Sequence, residues 1–321
     1  MAGFTLEFER PIMELEQKIQ ELKTLATNKS KTINLDDEVR QLEQKLEMAR
    51  KQVYQHLSPW QRVQMARHPK RPYTLDYISK IMTDWVELHG DHLFADDKAL
   101  IGGFATLEGT RVMLVGHQKG RDTKENLYRN FGSAHPEGYR KALRLMQIAA
   151  KFHLPILCFV DTPGAYPGVG AEERGQAQAI ALNLREMARL AVPIIVTVIG
   201  EGGSGGALGI GVGDRILVLE NAYYSVISPE GCAAILWKDR ARAPDAAAAL
   251  KLTAPDLKGL NLIDEVVPEP MGGAHRDHDT MAKNLKAALV RNLNEMKELS
   301  PKEILTGRHD KFRRIGLFLE S

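Results

Sequence analysis

Cysteine is nearly absent: the 321 residues hold two, Cys158 inside the apolar run PILCFV and Cys232 in SPEGCAA, far apart and with no CxxC pair. A zinc ribbon built from this chain alone and a disulfide-stapled scaffold are both excluded. A surplus of one charge is missing too, since 43 Lys and Arg stand against 41 Asp and Glu, a net of +2. That is too small for sequence-independent nucleic-acid binding to follow from charge alone, although local basic patches stay open. No segment approaches the ~20 apolar residues of a membrane span, and the opening MAGFTLEFERP is acidic, without the apolar run of a secretory signal. The expected compartment is the cytoplasm, with no membrane contact. Repeats are not detectable.

What is present suits a globular protein, because the 44% hydrophobic and 26% charged residues sit near the ~45 to 50% and ~25% of soluble domains. Apolar residues at Ile12, Leu15, Ile19, Leu22 and Leu25, then at Leu35, Val39, Leu42, Leu46 and Val53, recur at steps of three, four or seven. These spacings predict two amphipathic helices, and the polar break TNKSKTIN is long enough to fold them into an antiparallel hairpin, either an interaction arm or a cap on its own core. The segment HPKRP reads as a junction, after which Thr74 is placed to cap a helix carrying Leu75, Ile78, Ile81, Trp85 and Leu88. ALIGGFATL and RVMLVGHQ read as strands joined at Glu108-Gly109-Thr110. Beyond Pro136, helical and apolar segments alternate: YRKALRLMQIAAKF, PILCFV, AEERGQAQAIALNLREMARL and PIIVTVIG, with RILVLE and YYSVIS as further strands. Such β-α-β order implies parallel strands with right-handed crossovers. The expected organisation is a helical hairpin and linker over 1–70, an α/β domain over 71–296 and a helical tail over 297–321.

The richest segment is Gly200-Glu201-Gly202-Gly203-Ser204-Gly205-Gly206, directly after PIIVTVIG. Gly200, Gly202 and Gly205 fit the dinucleotide pattern GxGxxG, with Glu220 where a ribose contact could sit, but Gly209, Gly211 and Gly213 leave little room for a crossover helix. Gly202, Ser204 and Gly206 fit GxSxG, a serine nucleophile elbow, for which the sequence singles out no base; His275 and His278 are the downstream candidates. A P-loop is rejected because no GK[ST] follows. Consecutive glycines at a helix start can also leave backbone N–H groups free to meet a negative oxygen, or simply permit close backbone packing. A second loop, Asp161-Thr162-Pro163-Gly164-Ala165-Tyr166-Pro167-Gly168, follows PILCFV. Parallel strands place both loops on one sheet edge, where ligands gather, with Tyr166 as an apolar wall.

DTPGAYPG, IGEGGSGGALGIG, SPEGCAA and LNLIDEVVPEPMGGAH occur in this order, and together they resemble the α-subunit family of the bacterial acetyl-CoA carboxylase carboxyltransferase, over nearly the whole chain to about His275. One departure is Ser133 after RNFG, where many relatives are expected to carry methionine. The resemblance implies an α/β, crotonase-like ββα spiral fold behind the N-terminal hairpin. It implies transfer of a carboxyl group from biotin, borne on a separate biotin carboxyl carrier protein, to the coenzyme A thioester acetyl-CoA, giving malonyl-CoA for fatty acid biosynthesis. Its implied partners are a zinc-carrying carboxyltransferase β subunit, in an α2β2 heterotetramer, and biotin carboxylase; no metal is expected on this chain. For the site it implies that the N–H groups of Gly205 and Gly206 form an oxyanion hole for the biotin ureido oxygen, with Gly203 and Ser204 beside them and Gly164, Ala165 and Tyr166 lining the biotin channel. A serine hydrolase using Ser204 is the alternative.

Two further clusters stand out. HQKGRDTKENLYRN gathers Lys119, Arg121, Lys124 and Arg129, a solvated charged loop, or a contact for CoA phosphates through Arg121 or for the β subunit. GGAHRDHD offers His275, Asp277, His278 and Asp279, whose adjacent spacing matches no metal-ligand pattern.

Overall fold

The architecture comes from a computed structural model that describes residues 4–28 and 36–316. Helices α1 (Arg10–Asn28) and α2 (Asp36–Gln55) lie antiparallel, held by Lys23 Nζ to Glu43 at 2.7 Å and Arg50 to Glu16 at 2.9 Å. Ile12, Ile19, Leu42 and Leu46 are buried in their shared seam, whereas Leu25 is largely exposed. Most of the TNKSKTIN break, and Leu35 after it, lie outside the described residues.

The junction is not a loose linker. Helix α3 (Pro59–Ala66) starts with a Ser58 capping box, and three arginines in and after it reach into the body. Arg62 donates to Glu220 O, Arg67 to Glu201, and the fully buried Arg71 to Ile199 O and Glu269. The ion pairs of Arg67 with Glu201 and Glu230 therefore cross the boundary expected at residue 70. The expectation for Thr74 needs correction: helix α4 (Thr74–Ile81) is capped by Tyr73 with Asp76, and the Thr74 hydroxyl instead donates to His117 O. The helix also ends seven residues before Leu88. Asp84 takes a left-handed φ of 53°, and Trp85 belongs to an edge strand, β1 (Thr83–Glu87).

Strands β2 (Leu100–Leu107) and β3 (Thr110–His117) form the expected hairpin, with Glu108 and Gly109 at φ 46° and 75°, the left-handed pair that a two-residue turn requires. Helices α5 (Thr123–Tyr128) and α6 (Pro136–Lys151) lead to β4 (Ile156–Thr162); α7 (Val169–Glu173) and α8 (Gln176–Met187) lead to β5 (Ile194–Gly203). The single helix expected over 171–190 is two helices, broken at Gly175, whose φ of 83° no helix interior adopts. Helix α9 has only five residues (Ser204–Leu208) before β6 (Arg215–Leu219), β7 (Tyr223–Ser225), α10 (Pro229–Trp237), α11 (Ala243–Ala249), α12 (Ala254–Gly259), β8 (Glu265–Val267), α13 (His278–Met296) and α14 (Pro301–Arg313).

One mixed sheet runs β1-β2-β3-β4-β5-β6-β8, antiparallel through β3 and parallel from there on, with β7 pairing β5. Every residue of β4 and β5 is buried, as expected where helices cover both faces. Gly102 faces Leu145 of α6 and Gly116 faces Thr74 of α4, which identifies the two covering layers. Among the described residues no helix is long and apolar enough to cross a membrane.

Candidate active site

The sheet delivers both glycine loops to one place. Beyond Val160↔Val198 the register of β4 and β5 slips: Thr162 next pairs Gly202, so Asp161 alone stands opposite Ile199, Gly200 and Glu201. This bulge bends the end of β5, and its freed Glu201 N–H donates to Asp161 Oδ1 at 2.9 Å. Gly200 is required there, since a Cβ would lie 2.5 Å from the same oxygen. The bent end then pairs with β7 through Gly203, so residues expected in a loop are strand. This removes the dinucleotide reading, because Gly200 and Gly202 are strand residues and the helix that follows has five residues.

At the bend the two loops touch. A Cβ on Gly203 would meet Pro163 O at 2.2 Å, and one on Gly206 would meet Gly164 C at 2.5 Å and Ala165 N at 2.6 Å. Gly205 and Gly206 occupy the first turn of α9, where no upstream helical acceptor exists. The cap residue is Gly203, which has no side chain to offer, and no acceptor among the described residues takes either N–H. Opposite them, Gly164 (φ 155°) has open space on its Cβ side, and Thr162 Oγ1 accepts its N–H at 3.1 Å. Tyr166 is half-buried. Its ring stacks on His135 with centroids 4.1 Å apart, while its N–H donates to Ala134 O. Beside Ser204 and Gly205 opens an apolar cavity of about 490 Å³ walled by Leu184, Leu208, Tyr224, Val226, Leu262 and Phe312. A roomier surface depression of about 910 Å³ runs along α13 but shares no residue with the loops.

Beneath the loops lies a buried charge network that residue patterns did not single out. Lys119 Nζ sits 2.7 Å from both Asp161 Oδ1 and Glu201 Oε2. Glu201 Oε1 also accepts from Tyr223 OH at 2.8 Å and Arg67 Nε at 2.7 Å, and Arg67 continues to Glu230 at the start of α10. Burial alone would raise the Glu201 carboxyl, but Lys119 and Arg67 beside it hold it down to about 2. A signal was available: Asp161 and Glu201 are acids closing two buried apolar strands, and buried carboxylates demand a cation.

Residues 5–316 match the family described as acetyl co-enzyme A carboxylase carboxyltransferase-like. The chain belongs to this carboxyltransferase family. The acetyl-coenzyme A carboxylase carboxyl transferase subunit alpha of Geobacter metallireducens is 63% identical over 317 residues, covering 99% of each chain. That of Thermus thermophilus is 59% identical over 315 residues, 98% of this chain and 99% of the other. Among solved structures, a transcarboxylase 12S with methylmalonyl-coenzyme A and methylmalonic acid bound aligns with TM-score 0.57 at 20% identity, over 70% of this chain and 41% of that one. The geranyl-CoA carboxylase β subunit of P. aeruginosa aligns with TM-score 0.54 at 17% identity, over 77% and 46%. At such identities these structures speak for the fold alone, which is crotonase-like. This chain spans less than half the length of either.

The carboxyltransferase family leaves no support for the serine hydrolase. Ser204 has the left-handed φ of 49° that an elbow would have, and its side chain is exposed. Both candidate bases are engaged elsewhere, however: His275 is buried 3.3 Å from Glu9, and His278 Nε2 donates to Lys70 O. Arg121 is engaged within the chain. Its guanidinium stacks on the Tyr73 ring at 4.0 Å and donates to Pro69 O, Arg71 O and Asp76. It thereby clamps the 69–76 segment. Arg121→Ala is expected to lower the melting temperature while leaving the salt dependence of the acetyl-CoA KM unchanged; a flattened salt slope would restore the phosphate role.

Glu9, His68 and His275 place possible ligand atoms within 4.8 Å of one another. His68 Nδ1 already accepts the Lys70 N–H at 3.1 Å, so the neutral ring carries its proton on Nε2, and Arg276 lies 3.7 Å from Glu9. Glu9 also accepts from Tyr54 OH at 2.6 Å, and the His68 and His275 rings stack with centroids 3.8 Å apart, so the cluster fastens the start of the N-terminal hairpin to the body. Burial, reinforced by His275, lowers His68 to about 3, and burial with Lys119 nearby lowers His117 to about 3. Below the ordinary histidine value the unfolded chain binds protons that the folded chain refuses, so stability falls with pH across this window. The urea midpoint should decline from pH 6.5 to pH 4, less steeply in His68→Gln; a level midpoint would contradict the assignment.

Proposed function

We propose that this chain is the biotin-facing half of the carboxyltransferase, which together with a β partner moves a carboxyl group from biotin to acetyl-CoA and yields malonyl-CoA. The partner is a zinc-carrying subunit in an α2β2 assembly, served by a biotin carboxyl carrier protein and biotin carboxylase. When bound, biotin supplies the activated carboxyl group and a ureido oxygen that gains negative charge as that group departs.

The observation that carries this reading is the pair of unclaimed N–H groups on Gly205 and Gly206, pressed by close backbone packing against a second loop with open space above Gly164. Fixed donors of this kind stabilise a developing anion without reorganising. Gly164 and Ala165 admit a ring close to the backbone, Tyr166 walls it, Gly203 allows the loops to meet, and Ser204 adds a hydroxyl at the rim. The thioester oxygen is left to an equivalent donor pair on the β subunit. Co-expression with the β subunit, followed by malonyl-CoA decarboxylation with free biotin, tests the reading. Turnover is expected only with both subunits and biotin; activity of this chain alone, or labelling of Ser204 by a serine-directed probe, would contradict it.

A further inference from the structure

The geometry points to Lys119 as a positioning residue for the carboxyl transfer: its buried ammonium ties the carboxyl ends of β4 and β5 together and so sets where the Gly164–Ala165 turn meets the Gly205–Gly206 amides. The inference rests on those amides being the anion donors.

The ladder between the two strand ends is interrupted at Ile199–Glu201 and resumes only at Thr162↔Gly202. Across the gap the side chains tie the strands together. Asp161 is followed after two residues by Gly164, and Glu201 after three by Gly205, so each acid stands at the root of one loop. Lys119 bridges the two roots at 2.7 Å on either side, and Asp161 Oδ1 additionally holds the Glu201 N–H. Glu201 is fixed from its other oxygen by Tyr223 and Arg67.

The lysine itself is confined. The turn Asn130-Phe131-Gly132 takes left-handed φ values of 46°, 54° and 81° and closes over its stem, so that a Cβ on Gly132 would lie 2.8 Å from Lys119 Cγ. For Asn130 and Phe131, which carry a Cβ where Gly132 does not, that region is strained, and they persist there where the surroundings hold them. Buried ion pairs contribute little to stability compared with apolar replacements, whereas a shift of about 1 Å in a donor is enough to slow a reaction by about 10²-fold. A rigid cation between two loop roots is therefore better matched to geometry than to stability.

The test uses the complex with the β subunit and biotin-dependent malonyl-CoA decarboxylation, with the melting temperature followed in parallel. Lys119→Met is expected to lower kcat about 10²-fold with KM for malonyl-CoA within about twofold. Lys119→Arg should recover a large part of the loss, since it restores a cation between the acids. In Lys119→Met/Asp161→Asn, which removes the carboxylate left without a cation and keeps an oxygen for the Glu201 N–H, the melting temperature should recover while kcat stays low. Recovery of kcat together with stability, or an unchanged kcat in Lys119→Met, overturns the inference. If Lys119→Met is insoluble, Glu201→Gln decides: a kcat lowered about tenfold with KM within about twofold supports it, and an unchanged kcat overturns it. Gly206→Val in the same assay separates the two levels. Full turnover there sinks the donor reading itself, whereas an inactive Gly206→Val beside a fully active Lys119→Met sinks only the role of Lys119.

Discussion

Replacing Gly206 by valine is expected to cut turnover of the assembled carboxyltransferase by ~10² to 10³ while the chain still folds and binds its β partner. The cause is steric and local. The first added carbon already falls 2.5 Å from Gly164 C and 2.6 Å from Ala165 N, backbone atoms that cannot rotate aside. The loops must separate, which moves the Gly205 and Gly206 N–H groups away from the place where the anion forms. Overpacking of this kind costs about 1 to 3 kcal/mol, tolerable for a domain of this size. Gly205 provides the contrast, because its Cβ would meet only Ile180 Cδ1 at 3.5 Å. Gly205→Ala should therefore keep the stability of the parent chain, and a loss of stability at 205 equal to that at 206 would contradict the packing described.

The second large effect concerns stability. Arg308 of α14 is buried, and its donors all find partners: Nε and Nη2 reach the two carboxylate oxygens of Asp214 at 2.9 and 2.7 Å, while Nη1 and Nη2 donate to the carbonyls of Met187, Leu190 and Val192. It thereby pins the C-terminal helix to the connection that leads into β5. Arg308→Met strands a buried carboxylate and three carbonyls, at a cost of about 3 to 5 kcal/mol. The melting temperature should drop by about 10 °C. Arg308→Lys should fall close to the methionine variant, because a point charge cannot reproduce the planar fork. A melting temperature within the error of the parent would contradict this role.

What could be read from the sequence was what depends on near neighbours. The β2–β3 hairpin followed from two apolar segments around Glu108-Gly109, and β4 and β5 from apolar runs closed by glycine and proline. The loops at their ends belong to one edge because parallel strands leave no other arrangement. The bulge at Ile199–Glu201 was hidden, since it depends on Asp161, some 40 positions earlier, taking over an amide that the ladder loses. The spacing predicts too long an α4 because Trp85 in the edge strand and Leu88 just after it, both half-buried, continue a helical period. Lys119 and Arg121 show the limit most clearly. Two residues apart in one basic loop, they look alike as sequence. Yet Lys119 is buried between two acids, and Arg121 is clamped on Tyr73 near the surface, because only the tertiary fold decides which of them meets Asp161.

The donor assignment is tested most directly by exchanging the backbone amide of residue 206 for an ester, which deletes one N–H and adds no bulk. With the β subunit present, the account predicts that biotin-dependent decarboxylation of malonyl-CoA slows by ~10² or more at nearly unchanged KM. Turnover equal to that of the all-amide protein would show that this N–H meets no anion.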